Sequence, residues 1–273
     1  MALFEVDTGK CHRDGACATV CPAGIIRIEE GGLPAPTERA GDFCISCGHC
    51  VAVCPTGALS HRDMPPEQCE PVAEDRLPDE AAFRHALRAR RSIRAYREQP
   101  VPRDDLARLI EGARHAPSGH NAQPVRWLVF LEASEVRRLA GLTVDWMRSV
   151  LRDQPAFAES LNMDHVVSAW EKGRDRVCRD APHVIVAHAH KEDRTAPAAC
   201  TVALAHLELT AFSMGLGACW AGFLNAAASL WPPMMESLGL PEGHASFGAM
   251  LIGRPRFRYR RIPLRREARI TWR

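Results

Sequence analysis

Apolar positions repeat at helical spacing in two stretches that follow prolines. After Pro78, residues Ala82, Phe83, Ala86 and Leu87 fall on one face and Asp79 stands where an N-cap belongs, which predicts a helix. After Pro102, Leu106, Leu109, Ile110 and Ala113 recur at offsets of zero, three, four and seven, predicting a second. Continuous apolar runs at 127–131, 184–187 and 249–252 have strand length, and 198–214 reads as a buried helix. The pattern before residue 63 is different: Gly and Cys dominate, with a short strand candidate at 25–29. Between the two regions, Pro65, Pro66, Pro71 and Pro78 stand among acids, as in a linker. The chain is therefore divided into a small module over 1–63, a linker over 64–79 and a larger domain over 80–273. Helices alternating with a few strands predict an α+β fold for that domain.

Composition narrows this picture without changing it. In 273 residues, 46% are hydrophobic, 25% are charged and the formal net charge is +2, which excludes wholesale disorder, a collagen and a coiled coil. Residues 209–235 carry no charge, but Gly215, Gly217, Gly222, Pro232 and Pro233 break the stretch. It is read as a buried helix followed by a glycine loop, not as a membrane span. Residues 1–10 contain Glu5 and Asp7 and lack the apolar run of a leader, so a reducing cytoplasm is expected.

Cysteine changes the picture most. Seven of the 11 cysteines lie before residue 55, and clustered thiols in such a compartment point to metal ligation. Cys44, Cys47, Cys50 and Cys54-Pro55 follow C-x2-C-x2-C-x3-C-P, the iron–sulfur spacing. Structural zinc sites instead pair two separated knuckles around one tetrahedral ion, a geometry that four cysteines within 11 residues would crowd. Cys11, Cys17 and Cys21-Pro22 repeat the register, with Asp14 in place of the second cysteine. The segment resembles two-cluster bacterial ferredoxins. The resemblance implies that Cys44, Cys47, Cys50 and Cys21 hold one 4Fe–4S cluster while Cys11, Asp14, Cys17 and Cys54 surround the other. Three outcomes stay open at Asp14: a carboxylate ligand to the fourth iron, an empty corner leaving 3Fe–4S, or Cys69 as a replacement. The preserved spacing around Asp14 favours the first, with a labile corner iron because oxygen is a harder donor than thiolate. His49 is read as a solvent-facing loop residue, and Cys69, Cys178, Cys200 and Cys219 as plain thiols.

The larger domain lacks GxGxxG, a P-loop and GxSxG. It does carry Arg90-Arg91-Ser92-Ile93-Arg94, whose guanidinium forks suit phosphate, and a Pro/Ser/Gly/Asn loop at 116–124 leading into a strand. With Gly215-Leu-Gly217 through Phe223, and Tyr259 through Pro263, these segments in this order resemble the nitroreductase family over about 80–265. The resemblance implies a central mixed sheet, a homodimer and an FMN site at its interface. Arg90, Arg91, Ser92 and Arg94 would contact the FMN phosphate, ribityl chain and N1/O2 edge. Pro117, Ser118, Gly119, Asn121 and Gln123 belong to the matching loop, of which the first four would come from the partner subunit. Ala221 and Gly222 would lie along the ring with a backbone N–H toward N5, and Arg258 and Arg261 would return to the phosphate. Val125 stands where the family usually has Trp.

The expectation is an iron–sulfur flavoprotein oxidoreductase. Electrons would come from a ferredoxin-like protein or NAD(P)H and go to a nitroaromatic, a quinone or an activated alkene. The alternative is an electron relay without turnover of its own. No side chain is singled out as a catalytic acid; His120 is noted as a loop histidine, and His188-x-His190 as too few ligands for a metal. From residue 254, nine Arg stand against Glu267. With no stacking aromatics interleaved beyond Phe257, Tyr259 and Trp272, this favours cofactor phosphate and protein partners over nucleic acid.

Overall fold

A computed structural model describes residues 2–273, which fall into two compact units. The first runs to Pro78 and includes His120–Ala122; the second holds Asp79–Gly119 and Gln123–Arg273.

In the first unit the elements are β1 (Phe4–Val6), α1 (Ala16–Thr19), β2 (Ile26–Ile28), β3 (Pro34–Pro36), α2 (Ala40–Phe43), α3 (His49–Ala52) and β4 (Leu59–His61). β1 pairs antiparallel with β4, placing Phe4 opposite His61, and β2 pairs antiparallel with β3. Each ladder has two strands, so Pro34 and Pro36 can sit on an edge where their missing N–H groups cost no bond. Leu3, Phe4, Ile25, Ile26, Val51 and Leu59 form the small core. The two four-residue helices α1 and α3 each follow a left-handed glycine, Gly15 at φ 75° and Gly48 at φ 73°.

The second unit contains α4 (Glu80–Ala89), α5 (Arg103–Ala113), β5 (Arg126–Phe130), α6 (Ala133–Asp153), α7 (Pro155–Ser160) and α8 (Met163–Glu171). It continues with β6 (His183–His190), α9 (Ala196–Ser213), β7 (Gly217–Trp220), α10 (Gly222–Leu230), α11 (Pro232–Leu238) and β8 (His244–Gly253). The sheet order is β5-β6-β8-β7. Val184 and Val186 of β6 and Ala249 and Leu251 of β8 face a core shared with α6, α8, α10 and α11. Ile185, Ala187, Met250 and Ile252 face a second core against α5 and α9. Helices on both faces explain why β6 and β8 read as unbroken apolar runs instead of alternating ones.

The α+β class is as expected; the mixed sheet is not. All neighbouring strands pair antiparallel. The reason lies in the β6–α9–β7 crossover: it leaves a one-strand gap, and β8 fills it running the other way. Asp79 caps α4, its Oδ1 accepting the Ala82 N–H at 2.7 Å. Yet the apolar face of α4 stays uncovered, with Phe83 51% and Leu87 44% exposed. Within 209–235 the chain ends α9, forms β7 and enters α10 and α11, three elements absent from the sequence reading, as were α6, α7 and α8. Among the described residues, no helix is long and apolar enough to cross a membrane.

Candidate cofactor sites

Two cavities of the first unit are walled by cysteine. One is lined by Cys21, Cys44, Cys47 and Cys50, backed by Leu3, Phe4, Ile25, Ile26 and His61. The other is lined by Cys11, Asp14, Cys17 and Cys54, backed by Pro34, Ala58 and Leu59. Each half of the repeat thus lends its last cysteine to the other half's cavity. Burial pushes the Cys17 and Cys50 thiols up. Burial acts on Cys54 in the same sense, but N–H donors and the Thr56 hydroxyl outweigh it and bring that thiol down. One of those donors is the Ala58 N–H, 3.2 Å from Cys54 Sγ. Soft sulfur donors around a hollow suit a polynuclear iron–sulfide core. Among the described residues, no three His, Cys, Asp or Glu side chains gather closely enough to hold one ion.

Asp14 lines its cavity while Oδ1 accepts the Ala16 N–H at 3.0 Å, which orients the carboxylate at the start of α1. Cys69 is exposed, its Sγ donating to the Pro65 carbonyl at 3.5 Å, and it lines neither cavity. His49 is an exposed residue at the rim of the first cavity.

In the second unit, a cleft of about 530 Å³ lies between the end of α4, the end of α9 and the chain after β8. Arg90, Arg91, Arg97, Arg256 and Arg258 line it, with Glu208 as the single acid. Arg90 Nη1 meets Glu208 Oε1 at 2.7 Å, both side chains largely buried, so the pair holds one guanidinium still while the other cations give the cleft its positive field. The Arg90–Arg94 stretch is anchored by backbone bonds. Ile93 N–H donates to the Ala218 carbonyl at 2.9 Å, and Tyr96 Oη donates to the Ile93 carbonyl at 2.8 Å. A Cβ on Gly217 would come within 2.8 Å of Ile93, so this close approach needs glycine.

Not every expected residue reaches the cleft. Ser92, Arg94, Ala221, Gly222 and Arg261 do not line it. Arg94 is exposed and acts on Tyr96 and on Cys219; burial raises the Cys219 thiol, opposed by Arg94 and Arg179. Pro117, Ser118 and Gln123 border a separate hollow of about 90 Å³ with Trp127 and Ala203. There Ser118 Oγ accepts the Gln123 N–H at 2.9 Å, and a Cβ on Gly119 would press on Thr195. His120, Asn121 and Gln123 all hold left-handed φ values of 52°, 53° and 46°, unusual for side-chain-bearing residues. Within the first unit, Asn121 Nδ2 donates to the Ile45 and Ser46 carbonyls at 3.2 and 2.9 Å. The Ala221 N–H is given to the Ala249 carbonyl at 2.9 Å. Gly222 opens α10, where the first-turn N–H groups have no acceptor within their own helix.

Sequence reasoning missed Glu208, Arg97 and Arg256 in the cleft, His61 beside the cysteines, and His244. Glu208 did leave a signal, being the only acid in α9. His244 Nδ1 lies 3.0 Å from His188 Nδ1, and the His190 ring meets His244 edge-on. Burial lowers both His188 and His244, and neither they nor His190 form a single-ion site as placed.

Comparison with known proteins gives two family matches. The nitroreductase family matches residues 87–254, and a 4Fe-4S dicluster domain matches residues 10–59. A 7Fe ferredoxin of Hydrogenibacillus schlegelii is 39% identical over 56 residues, covering 20% of this chain and 67% of that protein. A nitroreductase with bound FMN from Desulfitobacterium hafniense DCB-2 superposes with a TM-score of 0.56 at 21% identity, covering 72% of this chain and 99% of the other. A nitroreductase with bound FMN from Bacteroides fragilis NCTC 9343 gives 0.52 at 22% identity, covering 71% and 96%. At these identities the two structures speak for the fold.

Proposed function

The chain belongs to the nitroreductase family and carries a dicluster ferredoxin module, and from that premise we propose that it is an iron–sulfur flavoprotein oxidoreductase. The proposal is that two clusters and FMN serve electron delivery from a ferredoxin-like protein or NAD(P)H to a small organic acceptor, such as a nitroaromatic, a quinone or an activated alkene. The observation that carries it is the pairing, in one chain, of cysteine-walled cavities with an arginine-lined cleft.

When bound, FMN supplies both one- and two-electron chemistry, and the clusters supply one-electron chemistry. Arg91 and Arg258 are the groups in the cleft suited to a phosphate, with Arg90 held beside them by Glu208. Gly222 is the backbone donor suited to a ring nitrogen, since the Ala221 N–H is already engaged. Pro117 and Ser118 border a different hollow of the same chain from Arg90 and Arg91. That separation supports a homodimer in which the 117–121 loop of one copy serves the cleft of the other. The seven thiols of the cavities call for a reducing compartment.

Anaerobic purification tests the reading in one step. Iron and inorganic sulfide near two clusters per chain are expected, with FMN released on denaturation. Colourless protein overturns the cluster assignment, and brown protein without flavin overturns the FMN assignment. Arg91→Ala should weaken FMN binding about tenfold or more, as loss of a charge-assisted hydrogen bond predicts. Arg91 is preferable to Arg90 for this purpose, because removing Arg90 would also strand the Glu208 carboxylate. Turnover of nitro compounds or enones with reduced ferredoxin, above the rate of free FMN, is expected; failure across a broad acceptor panel would favour a relay.

A further inference from the structure

We infer that His61 donates a hydrogen bond to Cys44 and sets the potential of the cluster on that side of the module. This rests on the cluster reading of the cavity formed by Cys21, Cys44, Cys47 and Cys50. His61 is the last residue of β4, is 2% exposed and lines that cavity. The ladder with β1 holds its backbone opposite Phe4, and Arg62 N–H donates to the Leu3 carbonyl at 3.0 Å just beyond. The ring is held as well. The Asp63 backbone N–H donates to Nδ1 at 3.2 Å, which casts Nδ1 as an acceptor, while the exposed Asp63 Oδ2, at 3.8 Å, lies beyond hydrogen-bond distance. In a neutral imidazole the proton then belongs to Nε2. Nε2 lies 3.7 Å from Cys44 Sγ, within reach of an N–H to sulfur bond.

The consequence follows from charge. A cluster that takes up one electron gains negative charge, part of it on its thiolate ligands. An N–H dipole aimed at one of them, in a pocket shielded from water, favours the reduced form and raises the potential. The ring acts through Cys44, and is a positioning residue with an electrostatic effect. His49, exposed at the rim of the same cavity, has no such orienting bond to a strand and supplies the control.

The test is an EPR-monitored redox titration of the full, anaerobically purified chain with its iron and sulfide counted. His61→Leu should keep its iron and shift one cluster to a more negative potential, leaving the other in place. The expected size is about a tenfold change in the reduced-to-oxidised ratio, about 59 mV for one electron. His61→Gln, which can still present an amide N–H, should recover much of that shift, and His49→Ala should leave both potentials where they are. Full iron with an unmoved potential in His61→Leu overturns the assignment, as does an equal shift in His49→Ala. Wild-type protein without iron overturns the cluster reading instead. If His61→Leu cannot hold its cluster, protein carrying both His12→Ala and His49→Ala and labelled with 15N-histidine decides by pulsed EPR: nitrogen coupling to the reduced cluster is expected, and its absence overturns the assignment.

Discussion

Asp14-Gly15-Ala16 and Cys47-Gly48-His49 occupy matching places in the two halves of the first unit. In both, a side chain lines a cavity, the next residue is a glycine at φ 75° or 73°, and a four-residue helix follows. The preceding and following thiols are likewise matched, and each half sends its last cysteine across. What differs is the donor. Cys47 offers sulfur alone, whereas the Asp14 carboxylate also accepts the Ala16 N–H at 3.0 Å. The backbone turn therefore does not depend on which residue stands there. A carboxylate at this place gains a local hydrogen bond, and would offer a harder donor to a soft cluster.

The largest way to break this comparison is Cys47→Ala. It removes a thiolate from the four-thiol cavity and should cost that cluster, so iron and sulfide should fall by about half; an unchanged iron count would show that Cys47 is no ligand. Asp14→Cys should sharpen it with a smaller effect. With Asp14 on iron, one iron of that cluster alone should exchange with added 57Fe faster in wild type than in Asp14→Cys. A three-iron EPR signal persisting in wild type under excess ferrous iron would mean that the carboxylate does not hold the corner. The smallest contrast is between the glycines. Alanine at either site meets a left-handed backbone penalty of about 1–2 kcal/mol. A Cβ at Gly48 would also lie 3.0 Å from Met64 Sδ, while at Gly15 the nearest atom is Ile28 Cδ1 at 3.8 Å. Gly48→Ala should therefore lower the melting temperature more than Gly15→Ala; the reverse order would show that Met64 yields freely.

Legibility followed distance along the chain. The cysteine register is set by neighbours two and three residues apart, so it could be read directly, as could α5, whose Leu106, Leu109 and Ala113 are buried. The α6 pattern of Val136, Leu139, Ala140, Val144 and Met147 is equally local, and its interleaved Arg and Glu residues concealed a helix that the spacing supports. Other features could not be read locally. β7 is Gly-Ala-Cys-Trp, with little strand preference of its own, and becomes a strand through pairing with β8. Arg90 and Glu208 are 118 residues apart, and His61 reaches Cys44 only because β4 pairs with β1. In the cleft, the motif indicated Arg90 and Arg91 but not where Ser92 and Arg94 would turn, since that depends on Ile93 docking onto Ala218.

The place of β8 between β6 and β7 also bears on how the chain comes off the ribosome. β5 and β6 can pair as soon as both have emerged, but β7 has no strand to join until residues 244–253 follow. For that interval the nascent domain shows an open apolar edge along β6, the kind of surface on which other chains nucleate aggregates. The last strand to be synthesised is thus the keystone of the sheet, and a premature stop codon ahead of residue 244 would leave β7 without a partner and one edge of β6 open.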